Sequence, residues 1–221
     1  IVFVFAAFPV TIASAADVIE ISDAAQLAAI GVNDNYPLNG SYKLTKSISL
    51  SGYDSWTPIG QSSAFSGTFE GNGKTISGLK VNTSGTYAGL FGQVSGTIKN
   101  LTVTGSVTLN TSSSSATSVY AGILVGNVSG WFATIDSCST SGEVNATLNC
   151  TGGSIFGGLS TANVYAGGVI GNSSSWISTE ILSHKSGTVT AKYTGSVNGN
   201  AYAGGIAGKT TAGLVDCYNR A

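Results

Sequence analysis

The sequence predicts an all-β stacked-repeat fold: short strands wound into successive coils, with one short helix near the N-terminal end. Three observations carry this. A tyrosine-led glycine motif occurs four times, as YAGLFG at Tyr87–Gly92, YAGILVG at Tyr120–Gly126, YAGGVIG at Tyr165–Gly171 and YAGGIAG at Tyr202–Gly208, with starts 33, 45 and 37 residues apart. A second element follows each copy: IKNLTVTGSV from Ile98, IDSCSTSGEV from Ile135, a blurred EILSHKSGTV from Glu180 and LVDCYNRA from Leu214. Two elements in fixed order at this period mark units that bury their apolar faces only against one another. Finally, alternating apolar and polar runs separated by glycine fill most of the chain after Ser41, the pattern of strands with one side inward. A free two-layer sandwich would alternate too, but it would not repeat a pair of elements.

The first segment, Ile1–Ile12, is apolar and is followed by Ala13-Ser14-Ala15. An apolar run before a small-x-small site is the expected end of a secretory signal peptide, cleaved before Ala16 or Asp17. That makes residues 1–16 a leader remnant and the location secreted or cell-surface. The other reading is an apolar first strand donated to a neighbouring subunit. The run is shorter than the ~20 residues a membrane helix needs.

Residues 17–41 form the expected N-terminal cap. Ile19–Gly31 reads as a helix centred on residues 22–30, with Ser22 or Asp23 as N-cap and Gly31 as its stop. A lone short helix ahead of many strands suits the closing of an open solenoid end. Residues 42–221 are the repeats, cut off at the C-terminal end. Tyr42–Leu50, Ser66–Glu70, Thr75–Val81, Thr97–Val103 and Val119–Val125 are its first strands. Gly71-Asn72-Gly73 signals a turn, because these residues accept positive φ. The Ser/Thr-rich segments Asn110–Ser118 and Leu148–Thr161 are expected to be loops ejected from a corner.

At Trp56–Leu79 (WTPIGQSSAFSGTFEGNGKTISGL), and again at Asp216-Cys217-Tyr218-Asn219, the chain resembles the GLUG-repeat proteins. The resemblance runs from about Tyr42 onward and fits worst at Trp176–Ser186. It implies a right-handed parallel β-helix in a secreted or surface-attached, adhesin-like protein.

Composition narrows the partners. Only 9% of the 221 residues are charged, against roughly a quarter in ordinary globular chains. With nine basic residues spread thinly and a net charge of −1, the chain has no field to attract nucleic acid. The three cysteines include Cys138 and Cys217 in equivalent repeat positions, with Leu101 and Ser183 in the other two. Two coils at about 4.8 Å each would hold Cys138 and Cys217 apart, beyond the ~7 Å Cα limit for a disulfide. Cys138–Cys150 stays open as a pair, but buried thiols are expected.

No catalytic constellation is legible. Asp54, Glu70, Asp136, Glu143, Glu180 and Asp216 are scattered, and Glu70 with Lys74 reads as a surface pair flanking the Gly71–Gly73 turn. The single histidine, His184, reads as a solvated strand-edge residue. One histidine and three separated cysteines give no metal set, and no cofactor is expected. The repeated Tyr87, Tyr120, Tyr165 and Tyr202 should meet in a ladder. Inward, they are a packing device, which the reuse of equivalent sites favours. Outward, they are candidate contacts to glycans. Eight Asn-x-Ser/Thr triplets, among them Asn100, read as incidental to so Asn- and Thr-rich a chain.

The functional expectation is a non-catalytic, adhesin-like stalk or binding scaffold, with glycans, matrix or other cell-surface proteins as partners. The alternatives are a structural subunit of an extracellular filament and an accessory module of a polysaccharide- or protein-degrading enzyme.

Overall fold

The structure, a computed structural model, describes residues 17–152, 161–175, 181–196, 198–211 and 217–219. Its architecture is all-β, with parallel strands in stacked sheets, the arrangement a β-helix or solenoid requires. Among the described residues one sheet has ten strands and two have four, and every strand pairing is parallel. The large sheet contains the long strands Thr68–Thr83, Thr97–Ser113 and Cys138–Cys150. A second sheet stacks Tyr87–Ala88, Ser118–Gly122, Ala162–Gly167 and Gly199–Gly204. The third stacks Phe91–Val94, Val125–Val128, Ile170–Ser173 and Ala207–Thr210. The tyrosine-led motif therefore spans the corner between the two small sheets.

Alternation puts matching side chains above one another inside. Ile19, Tyr42, Phe69, Ile98 and Ile135 form one such column, and Val81, Val107, Val144 and Val189 form another. Part of the core is aromatic. Phe69 lies 6.5 Å from Tyr42 and 5.4 Å from Phe91, centroid to centroid, and Trp56 is buried with its indole N–H donating to the Leu90 carbonyl. Full burial of one such side chain contributes about 1.5–3 kcal/mol, which a thin coil can collect only from the rungs above and below.

Corners need unusual backbone. Gly105, Gly142 and Gly187 hold φ of +158°, +130° and +117°, and a Cβ on Gly142 would come 1.7 Å from the Gly105 carbonyl oxygen. At a second corner Asn72 and Asn100 sit at φ +52° and +55°, a conformation that asparagine accepts better than other side chains. That is the physical reason for the asparagine in Ile98-Lys99-Asn100-Leu101.

Several expectations need correction. Residues 19–21 are not helical: Val18–Ile21 is a strand paired with Ser41–Leu44, because Ile19 and Ile21 alternate into the first coil. The helix covers Ala24–Ala29, with the N-cap Asp23 accepting from the Gln26 N–H and the Gln26 side chain reaching back past the cap to accept from the Ser22 N–H at 2.7 Å. Buried Leu27 ties it to the core. Gly71-Asn72-Gly73 does not reverse the chain; it bends the single strand Thr68–Thr83 with shifts of register. Asn110–Ser113 is strand, so the ejected loop shrinks to residues 114–117.

Leu182, not Ser183, occupies the slot of Cys138, so the third repeat sits one residue out of frame with the spacing its sequence suggests. Cys138 and Cys217 are thus two rungs apart. Cys138 and Cys150 are buried at opposite ends of one strand, too far apart to bond. Residues 1–16, 153–160, Trp176, Glu180 and Asp216 lie outside the described residues, so the expectations resting on them do too.

Candidate functional site

The tyrosines lie in register: Tyr87 opposite Tyr120, Tyr120 opposite Tyr165, and Tyr165 opposite Tyr202. Their rings stack face to face, with centroids 5.4, 5.3 and 5.1 Å apart and planes within 14°, 12° and 6° of parallel. They stand on the outer side of their sheet, because the alanines that follow, Ala88, Ala121 and Ala166, point into the core. Exposure along the column is uneven: Tyr87 and Tyr120 are half-buried, Tyr165 is only 8% exposed and Tyr202 40%. Burial first, and then the neighbouring rings, push the Tyr87 and Tyr165 phenols up.

The geometry decides how this column can touch a ligand. Neighbouring tyrosines cover one another's ring faces, so a sugar cannot lie flat on an internal ring as it would on an isolated aromatic platform. Edges and hydroxyls are what the column presents. None of the four hydroxyls makes a hydrogen bond to another described residue.

Two polar ladders run beside the rings, and sequence reading missed both. Two residues before the tyrosines stand Ser118, Asn163 and Asn200; the Asn200 amide donates to Asn163 Oδ1 at 3.1 Å, and the Asn163 amide reaches Ser118 Oγ at 3.5 Å. Across the corner stand Gln93, Asn127, Asn172 and Lys209, in register. The Asn172 amide donates to Asn127 Oδ1 at 2.8 Å. Lys209 Nζ lies 5.7 Å from the Tyr165 ring centroid, which places this ladder against the tyrosines. The available signal was the polar residue immediately after each of the four motifs: Gln93, Asn127, Asn172 and Lys209.

A charged column crosses another face. Glu20, Lys43, Glu70, Lys99 and Asp136 occupy successive register positions with alternating sign. Lys99 Nζ lies 3.4 Å from Glu70, so the expected Glu70–Lys74 pair is replaced by one to the next rung. Glu70 also accepts from the Asn72 N–H at 2.7 Å and from the Asn100 amide at 3.0 and 3.2 Å. Partial burial works against ionisation, but these donors and Lys99 hold the carboxyl below its usual range. With three groups already donating to it, Glu70 serves structure. Of the other carboxylates, Asp54 and Glu143 are exposed, and Asp136 accepts from the Ile181 N–H at 3.3 Å.

His184 is not solvated. It is fully buried, facing inward above Thr140, and a Cβ on Gly168 would come 2.5 Å from its ring. The glycine gives the imidazole its room. Among the described residues its Nε2 has no partner, and burial pushes the imidazole below its ordinary range. Among the described residues no group of three His, Cys, Asp or Glu is placed to hold a metal.

The chain matches no family model and no curated protein. It is similar to a crystal structure of a Bacteroides ovatus protein provisionally named an immunoglobulin A1 protease, with TM-score 0.51 and 16% identity, over 90% of this chain and 66% of that one. At that identity the likeness concerns the fold alone.

Proposed function

We propose that the chain is a non-catalytic scaffold, a right-handed parallel β-helix serving as stalk or binding module of a secreted or cell-surface protein. The observation that carries this reading is the vertical register of the rungs: apolar columns inside, with tyrosine, amide and charged columns outside. Such a surface repeats one contact along its length instead of converging on a reacting atom. A right-handed turn is what parallel strand crossovers adopt in nearly all cases. The resemblance to GLUG-repeat proteins and the apolar run before Ala13-Ser14-Ala15 favour export.

The test is small-angle scattering on the purified chain, together with assays on casein, immunoglobulin A and soluble polysaccharides. An elongated particle that cleaves none of them is expected. Cleavage that survives purification to homogeneity would overturn the reading.

A second reading, an accessory module of a larger secreted enzyme, is favoured by the name of the fold neighbour and by the third of that protein outside the match. It expects that deleting this segment from the longer protein lowers activity on surface-bound substrate and spares activity on soluble substrate. Equal loss on both would contradict it.

A further inference from the structure

Resting on the scaffold reading, we propose that the tyrosine column and its two flanking ladders bind a linear, uncharged polysaccharide lying parallel to the stack axis. The rungs of Tyr120 and Tyr165 offer the same set: one phenol edge with a hydroxyl that no described residue hydrogen-bonds, Ser118 or Asn163 on one side, and Asn127 or Asn172 on the other. The outer rungs keep the phenol and one flank, Gln93 beside Tyr87 and Asn200 beside Tyr202. Repetition at 5.1–5.4 Å between rings is close to the rise of one sugar in an extended β-linked chain. A linear glycan can therefore set one sugar against each rung, successive sugars presenting alternate edges to it.

The ladder amides are partly satisfied by one another, which holds them rigid, while their remaining donors and acceptors face outward. Lys209 supplies the single charge among the three columns, so an anionic polymer would find one ammonium and a cationic one no carboxylate. Recognition is edgewise, by hydrogen bonds spread over several rungs. Affinity should then depend on chain length, because each added sugar binds intramolecularly to the next rung.

The test is calorimetry of the purified chain with hexamers of β-1,4-linked glucose, xylose, mannose and N-acetylglucosamine, their dimers, and hexagalacturonate. The paired variant Tyr120→Phe/Tyr165→Phe keeps the rings and removes two hydroxyls; Asn127→Ala/Asn172→Ala breaks one ladder. At least one neutral hexamer should bind, about ten-fold or more tighter than its dimer. The phenylalanine variant should weaken it about ten-fold with an unchanged melting temperature. Absence of binding by all four neutral hexamers, affinity unchanged in both variants, or equally tight hexagalacturonate would each overturn the proposal. Any of these leaves the scaffold reading standing, since a stalk needs no glycan, whereas hydrolysis of a hexamer overturns both.

Discussion

His184 Nδ1 lies 3.0 Å from the Thr140 hydroxyl of the rung beneath it, both side chains being fully buried. The Thr140 hydrogen is committed to the Gly168 carbonyl at 2.8 Å. The bond therefore assigns the imidazole hydrogen to Nδ1 and leaves the Nε2 lone pair facing the core. A proton on Nε2 would create a buried charge without a counterion among the described residues.

Stability should consequently fall in mild acid. Burial holds the folded-state pKa of His184 below its ordinary 6.5. As pH drops through 6.5, unfolded chains take up a proton that folded ones refuse, and stability is lost until the folded pKa is passed. His184 is the only histidine, and Glu70 contributes its own loss only below the ordinary carboxylate range. Guanidinium midpoints at pH 7.5, 6.5 and 5.5 should decline for the native chain and stay nearly level for His184→Leu.

Corner glycines should differ sharply in what they tolerate. At Gly142 a Cβ meets the Gly105 carbonyl oxygen at 1.7 Å, so Gly142→Ala must displace a rung and should cost more than about 3 kcal/mol. Gly73 has a φ of +68° but open space around its Cβ position, so Gly73→Ala should cost only about 1–2 kcal/mol. Urea unfolding of the two variants measures the difference directly, and equal losses would mean that the close approach at Gly142 is wrong.

Reversing one member of the charged column should destabilise by repulsion. Lys99→Glu would place like charge opposite Glu70 below and Asp136 above. Because the Lys99 side chain is 43% exposed, solvent screening limits the effect to about 1 kcal/mol. It should shrink further in 1 M salt, where the Debye length is about 3 Å. A loss that is insensitive to salt would point to packing instead.

What could be read in advance follows the range of the interaction. The tyrosine column was legible because a stack repeats whatever stands at equivalent positions, and the Ala24–Ala29 helix was legible because Asp23 caps it locally. Glu70's partner was not, since it comes from Lys99 on the next rung and not from Lys74 along the chain. Gly71-Asn72-Gly73 reads locally as a reversal. It is a bend only because neighbouring strands hold the chain on its course. His184 reads as solvated from its neighbours along the chain because its burial is prepared by Gly168, at the bend between the two small sheets. The hint lay in YAGG at Tyr165, where Tyr87 and Tyr120 begin YAGL and YAGI. The polar ladders escaped notice because each of their members is ordinary alone.

The in-register stack itself is tested most directly by nitroxide pairs on one outward column, in a background with the three cysteines replaced. Asn82, Thr108, Asn145 and Thr190 occupy successive rungs. Labels on Asn145 and Thr190, about 4.8 Å apart at the backbone, should broaden each other's continuous-wave spectrum strongly. Labels on Thr108 and Thr190 should do so less, and labels on Asn82 and Thr190 least. Strong broadening for the outermost pair, or none for the adjacent one, would contradict the stacked parallel register.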